Sequence, residues 1–125
     1  MKGLVVVTLI VLVFGSLAIA QSGAPAGAAT VTLRGTIIDN QCAGAQKPEE
    51  LAAFIKTHTK ECALMSVCVA SGYSIYSDGK LTKFDKASNA KVEEFLKKAD
   101  SKLEVVVVAK KAGDMLDLVS IESQK

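Results

Sequence analysis

The sequence predicts a mainly β domain with α+β content: five antiparallel strands, a helical insert after the first, and a helix between the third and fourth. Three observations carry that expectation. Val31 to Asp39 alternates, with Val31, Leu33 and Ile37 on one face and Thr32, Arg34 and Thr36 on the other, the period-2 pattern of a half-buried strand. Asp78-Gly79 stands between two short runs of β-formers, the strongest short-range hairpin signal. Leu103 to Lys110 (LEVVVVAK) and Met115 to Glu122 (MLDLVSIE) are apolar, β-prone segments separated by Gly113-Asp114, a turn pair.

Each element has a local reason. Gly35, inside the first strand, predicts a bend or bulge, and Asn40-Gln41 end that strand so that Cys42 opens a loop. Pro48, Glu49 and Glu50 are a good helix start, with proline at a first position and acids in the first turn. Leu51, Phe54, Ile55 and His58 follow at i, i+3, i+4, i+7, and the stripe continues through Cys62, Met65 and Val69. Thr57 and Thr59 are poor interior residues, so the pattern predicts two helices, 48–57 and 60–70, with Thr59 capping the second. Ser71-Gly72 stops it. The hairpin 73–85 pairs Tyr73 with Phe84 and Tyr76 with Leu81, on opposite faces, around a type I′ turn. Val92, Phe95, Leu96 and Ala99 mark a short amphipathic helix over 89–99.

With the insert set aside, the order is β1-β2-β3-α-β4-β5. That is the order of an OB-like barrel, five antiparallel strands with one helix between the third and fourth.

Before the domain, Lys2, the apolar run Leu4 to Phe14 and the triplet Ala18-Ile19-Ala20 have the layout of a signal peptide cleaved after Ala20. Residues 21–30 are small and unpatterned and read as a flexible lead-in, leaving 31–123 as a single OB-like domain. Export to the periplasm or medium follows as an expectation, without stable membrane insertion once the leader is removed. The chain has 15 basic and 13 acidic residues, so loss of Lys2 leaves 14 against 13, a net charge of +1. That balance gives no electrostatic case for a nucleic-acid partner.

The chemistry is concentrated in Cys42, His58, Cys62 and Cys68, spaced C-x15-H-x3-C-x5-C with the chain's one histidine. Three readings compete. The first is a structural disulfide from Cys42, to Cys68 or to Cys62, closing a loop whose constraint contributes on the order of 3 kcal/mol. A bond between Cys62 and Cys68 is disfavoured, because on one continuous helix they stand ~9 Å apart along the axis. The second is a metal site in which His58, Cys42, Cys62 and Cys68 form a Cys₃His set for zinc or cuprous copper. The third is thiol redox or nucleophilic chemistry, with His58 one turn before Cys62. No C-x-x-C, Gly-rich phosphate loop or Ser/His/Asp set is present. Tyr73, Tyr76 and Phe84 lie on the hairpin that faces ligands in OB folds, or else Tyr73 and Phe84 form a core cross-strand pair with Ile75.

Several segments together resemble a family of small exported bacterial proteins whose domain function is unassigned. They are Gly35-Thr36-Ile37-Ile38-Asp39 before Cys42, His58-Thr59-Lys60-Glu61-Cys62-Ala63-Leu64-Met65, Cys68, Gly72-Tyr73, Asp78-Gly79-Lys80 and Phe84-Asp85. The resemblance implies an OB-like secreted domain with a Cys/His cluster, and it transfers no catalytic residue and no substrate. The sequence reading is therefore a non-enzymatic exported domain, binding a small ligand or protein or playing a structural part, stapled by a Cys42 disulfide. A periplasmic metal-binding protein is the alternative and a thiol-redox protein the third.

Overall fold

A computed structural model describes residues 29–125. The expected signal peptide and most of the lead-in fall outside those residues. The described chain runs β1 (Thr30–Asp39), α1 (Asn40–Gly44), α2 (Pro48–Ile55), α3 (Lys60–Ala63), α4 (Ser66–Ser71), β2 (Tyr73–Ser77), β3 (Lys80–Lys83), α5 (Lys86–Leu96), β4 (Glu104–Ala112) and β5 (Met115–Ser123).

The strands form one open five-stranded antiparallel sheet in the order β3-β2-β1-β4-β5, which makes the domain α+β and mainly β. Its central strand serves two neighbours in turn. β1 pairs with β4 from Thr30 to Thr36 and with β2 from Thr36 to Asp39. Gly35 marks the changeover: a Cβ there would lie 2.2 Å from the Tyr76 carbonyl oxygen, so only glycine lets the β2 backbone come this close. The expected irregularity at Gly35 is thus a close approach, and the register shift of the sheet lies instead between Val108 and Ala109 of β4. The edge strands meet at a single parallel bridge, Phe84 with Leu116, where Asp85 N–H donates to the Leu116 carbonyl at 2.9 Å.

The hairpin has the expected register, with Tyr76 opposite Leu81, and Asp78 and Gly79 both take positive φ (50° and 74°), as a type I′ turn demands. α5 begins earlier than the apolar spacing indicated. Asp85 leaves the hairpin and caps the helix, its Oδ1 accepting from Ser88 N–H at 2.8 Å. Capping thus overrode the strand reading of Asp85.

Successive side chains of a strand point to opposite faces, and here both faces are covered. Ile37 and Ile38 are adjacent and both fully buried. Ile37 enters the main core with Tyr73, Ile75, Phe84, Val105 and the α5 residues Val92, Phe95 and Leu96. Ile38 enters a smaller core on the other side with Ala43, Leu51 and Ile55, flanked by Cys42, Phe54, Tyr76 and Leu81. The first half of the insert, α1 and α2, therefore lies on the outer face with Ile38, whereas Ala63 of α3 enters the main core and Leu64 and Val69 pack against it.

Two local differences shape the insert. Asn40 to Gly44, expected as loop, is the short helix α1, and the expected single helix 60–70 is two, α3 and α4. Between them Met65 adopts extended backbone (φ −62°, ψ 144°), and Met65 and Val67 are exposed at 56% and 53%. Met65 therefore leaves the stripe and faces water, while Cys62 is half-buried and Val69 packs against the main core. Asn40 clasps the two ends of the insert: its Nδ2 donates to the Ser71 carbonyl at 2.9 Å, and its Oδ1 accepts from Ser74 Oγ–H at 2.6 Å.

Candidate metal centre

Asp39, the last residue of β1, is fully buried and uses its two carboxylate oxygens separately. Oδ1 accepts from Cys42 N–H at 2.8 Å, the N-cap that starts α1 and fixes where Cys42 points. Oδ2 lies 2.9 Å from His58 Nε2, and the His58 side chain is only 1% exposed. With the carboxylate as acceptor, Nε2 carries a proton, and in the neutral ring Nδ1 then presents a lone pair. His58 Nδ1 is buried and has no hydrogen-bond partner among the described residues.

His58 follows α2, its N–H donating to the Phe54 carbonyl at 3.0 Å, with the two rings 5.6 Å apart. Thr59 then breaks the helix and caps α3 as expected, its Oγ1 accepting from Cys62 N–H at 3.2 Å. Two caps, one from Asp39 and one from Thr59, thus aim Cys42 and Cys62 into one place. Their sulfurs stand 3.8 Å apart. A His58 ring nitrogen and these two sulfurs all lie within 4.8 Å of one another. A second set at the same limit contains Asp39, Cys42 and Cys68. Cys42 belongs to both.

All three cysteines are free thiols. Of the two partners the sequence leaves open for Cys42, the sulfur at 3.8 Å is that of Cys62, and the gap exceeds the ~2.0 Å of a disulfide. The break between α3 and α4 removes the continuous helix on which the spacing of Cys62 and Cys68 was judged. Burial pushes the Cys42 thiol far up, with the contact from Cys62 and the charge of Asp39 adding to it. Burial and then the Asp39 contact also raise the Cys68 thiol. Such sulfurs stay protonated, and so weakly nucleophilic, unless a cation replaces the proton.

The aromatic candidates go elsewhere. Tyr73 and Phe84 sit in the main core at 0% and 2% exposure. Tyr73 Oη–H donates to the Ala63 carbonyl at 2.9 Å, and burial pushes its pKa up to about 12. Tyr76 packs against the smaller core beneath the insert. The outer hairpin face, where a ligand would lie, is therefore covered by the protein's own helices. An open cleft of about 280 Å³ lies at the opposite end of the sheet, lined by Leu33, Ser77, Lys80, Lys111 and Met115, and shares no residue with the sulfur cluster.

The residue that sequence reasoning missed is Asp39, read only as a strand end. Its signal was the spacing Asp39-x-x-Cys42, an N-cap acid three residues before the cysteine. Neither family models, curated proteins nor solved structures give a match to this chain.

Proposed function

We propose that this protein is a small exported, non-enzymatic domain that binds one thiophilic d¹⁰ metal ion, zinc or cuprous copper, through Cys42, Cys62 and His58. The single observation that carries the reading is the buried Nδ1, without a hydrogen-bond partner among the described residues, on a ring whose other nitrogen is held by Asp39. Leaving a buried polar atom unsatisfied costs roughly 1–3 kcal/mol, and coordination relieves it. Carboxylate–histidine–metal relays have this arrangement, in which the acid sets the tautomer and orients the ring. The sulfur spacing agrees: a tetrahedral zinc with bonds of about 2.3 Å holds its sulfurs about 3.8 Å apart, and Cys42 and Cys62 stand at 3.8 Å.

Cys68 groups with Asp39 and Cys42 and not with the His58–Cys62 pair, so three protein ligands leave a fourth position open. An open position suits an exchangeable ion better than a locked structural one. Export rests on the leader pattern of residues 1–20. An OB-like barrel is supported by the strand order and by the parallel Phe84–Leu116 bridge between the edges.

The test is metal titration of the fully reduced protein against a chromogenic chelator. One zinc per chain is expected, lost in Cys42→Ser, with Asp39→Asn binding 10- to 100-fold more weakly while its circular dichroism matches the parent. A reduced protein that takes up neither zinc nor copper(I) overturns the reading. The second reading, a domain stapled by a Cys42 disulfide, is favoured by the short distance to Cys62, and thiol counting on the exported protein would return one free thiol.

A further inference from the structure

We infer that metal and disulfide are alternative occupants of the same two sulfurs: a Cys42–Cys62 bond expels the ion, making this a redox-gated metal site. This deepens the proposed function and rests on it. The two sulfurs that would bind the ion are also the pair held at 3.8 Å. They sit on separate short helices, α1 and α3, each started by a side-chain cap. Neither sulfur lies in the regular part of the sheet, so closing the remaining gap of under 2 Å needs only a small shift of α1 against α3.

Oxidation of this pair consumes both thiolates and leaves His58 as the sole remaining ligand of the set. One imidazole does not retain zinc against water. A site built from four ligands, or one in which the third cysteine completed the coordination shell, would keep part of its grip after such a bond formed. Cys68 groups with Asp39 and Cys42 within 4.8 Å and not with the His58–Cys62 pair. At 3% exposure it is shielded from an oxidant in solvent that reaches the half-buried Cys62 first, so it stays reduced while the other two react. That accounts for an odd number of cysteines: two switch and one remains.

The chemistry balances with a disulfide oxidant, RSSR. The half-buried Cys62 sulfur attacks one oxidant sulfur, forming a mixed disulfide and releasing RS⁻. Cys42 Sγ, its proton already displaced by zinc in the loaded protein or taken by the departing RS⁻ in the metal-free one, then attacks the Cys62 sulfur, forming the Cys42–Cys62 bond and releasing the second RS⁻. Two protein sulfurs are oxidised and two oxidant sulfurs reduced. The charges on the departing thiolates are met by the two protons of the protein thiols in the metal-free protein, or by the released zinc and solvent protons in the loaded one.

The experiment loads the reduced protein with one equivalent of zinc and adds oxidised glutathione in the presence of a zinc-sensitive dye. Each chain is then mapped by peptide mass spectrometry. Stoichiometric zinc release in step with a Cys42–Cys62 peptide is expected, and Cys68→Ser should behave as the parent in both binding and release. Zinc retained after that bond has formed, a mapped Cys42–Cys68 bond, or no bond at all would each overturn the inference while leaving metal binding intact. Failure of the reduced protein to load zinc in the first step identifies the other case, in which the proposed function itself falls and takes the gate with it.

Discussion

The two faces of the central sheet are held together by different physics. On the inner face, fourteen buried residues form one apolar core closed by α5. On the outer face only Ile38, Ala43, Leu51 and Ile55 are buried together; α3 and α4 are tied to the inner core through Ala63, Leu64 and Val69, and polar and sulfur groups around Asp39 join the two halves of the insert. An apolar core of the first kind supplies stability through area removed from water, without regard to direction. The second is directional and small. The difference makes α1 and α2, whose apolar anchor is the small outer cluster, the part of the molecule whose order can respond to a bound ion or to oxidation, while α3 is held to the main core through Ala63.

The largest way to break the comparison is to open the inner core. Leu96 is fully buried in it, and Leu96→Ala should cost about 2–5 kcal/mol in urea unfolding, equally with and without metal. Metal-dependent recovery of that loss would join the two faces into one unit. Next comes metal itself. Zinc at one hundred times its dissociation constant should stabilise the parent by about 2.7 kcal/mol and Cys42→Ser by nothing, as read by thermal melting under reducing conditions. Equal shifts in both proteins would place the ion elsewhere.

The hairpin supplies a control far from the sulfurs. Gly79 has φ 74°, and Gly79→Val should cost about 1–3 kcal/mol by strain while leaving zinc uptake unchanged. If that variant melts like the parent, the turn is not held as described. The smallest effect is at Asp85, whose carboxyl is held below the usual range by its hydrogen bonds to Ser88, side chain first and then backbone N–H. Removing the cap as Asp85→Ala should cost about 1 kcal/mol at neutral pH. Because the folded pKa is depressed, that stabilisation is complete above the unfolded value of about 3.9 and fades as pH falls through the folded one. The gap between parent and variant in urea midpoints should therefore narrow in acid. A gap that widens would remove the charged cap.

Much of the fold was legible in the chain because its signals are local. Asp78-Gly79 needs only its own backbone preferences to make the hairpin, and Val31 to Asp39 needs only alternation to make a strand. Pro48 and Thr59 started helices where their chemistry places them. The misreadings share a different cause. Met65 continued an apolar stripe in sequence but points to water, since periodicity does not register where a helix breaks. Asp85 read as hairpin and proved to be a cap, since the hydrogen bond to Ser88 competes with strand pairing. At the site, Cys42, His58 and Cys62 stood out by residue type alone, while Asp39 did not, because an aspartate at a strand end is ordinary until the partners of its two oxygens are known.

Residue identity alone thus determined the strand set, the tight turn, the principal helix starts and the inventory of sulfur and imidazole groups, all of which depend on neighbours a few positions apart. Tertiary structure alone decided which cysteine lies against Cys42, that the outer hairpin face is covered, and that one aspartate holds both the helix bearing Cys42 and the ring of His58. Those outcomes depend on groups 19 to 20 residues apart in the chain meeting in space, brought there by packing of α1 and α2 on Ile38 and of Ala63 in the main core.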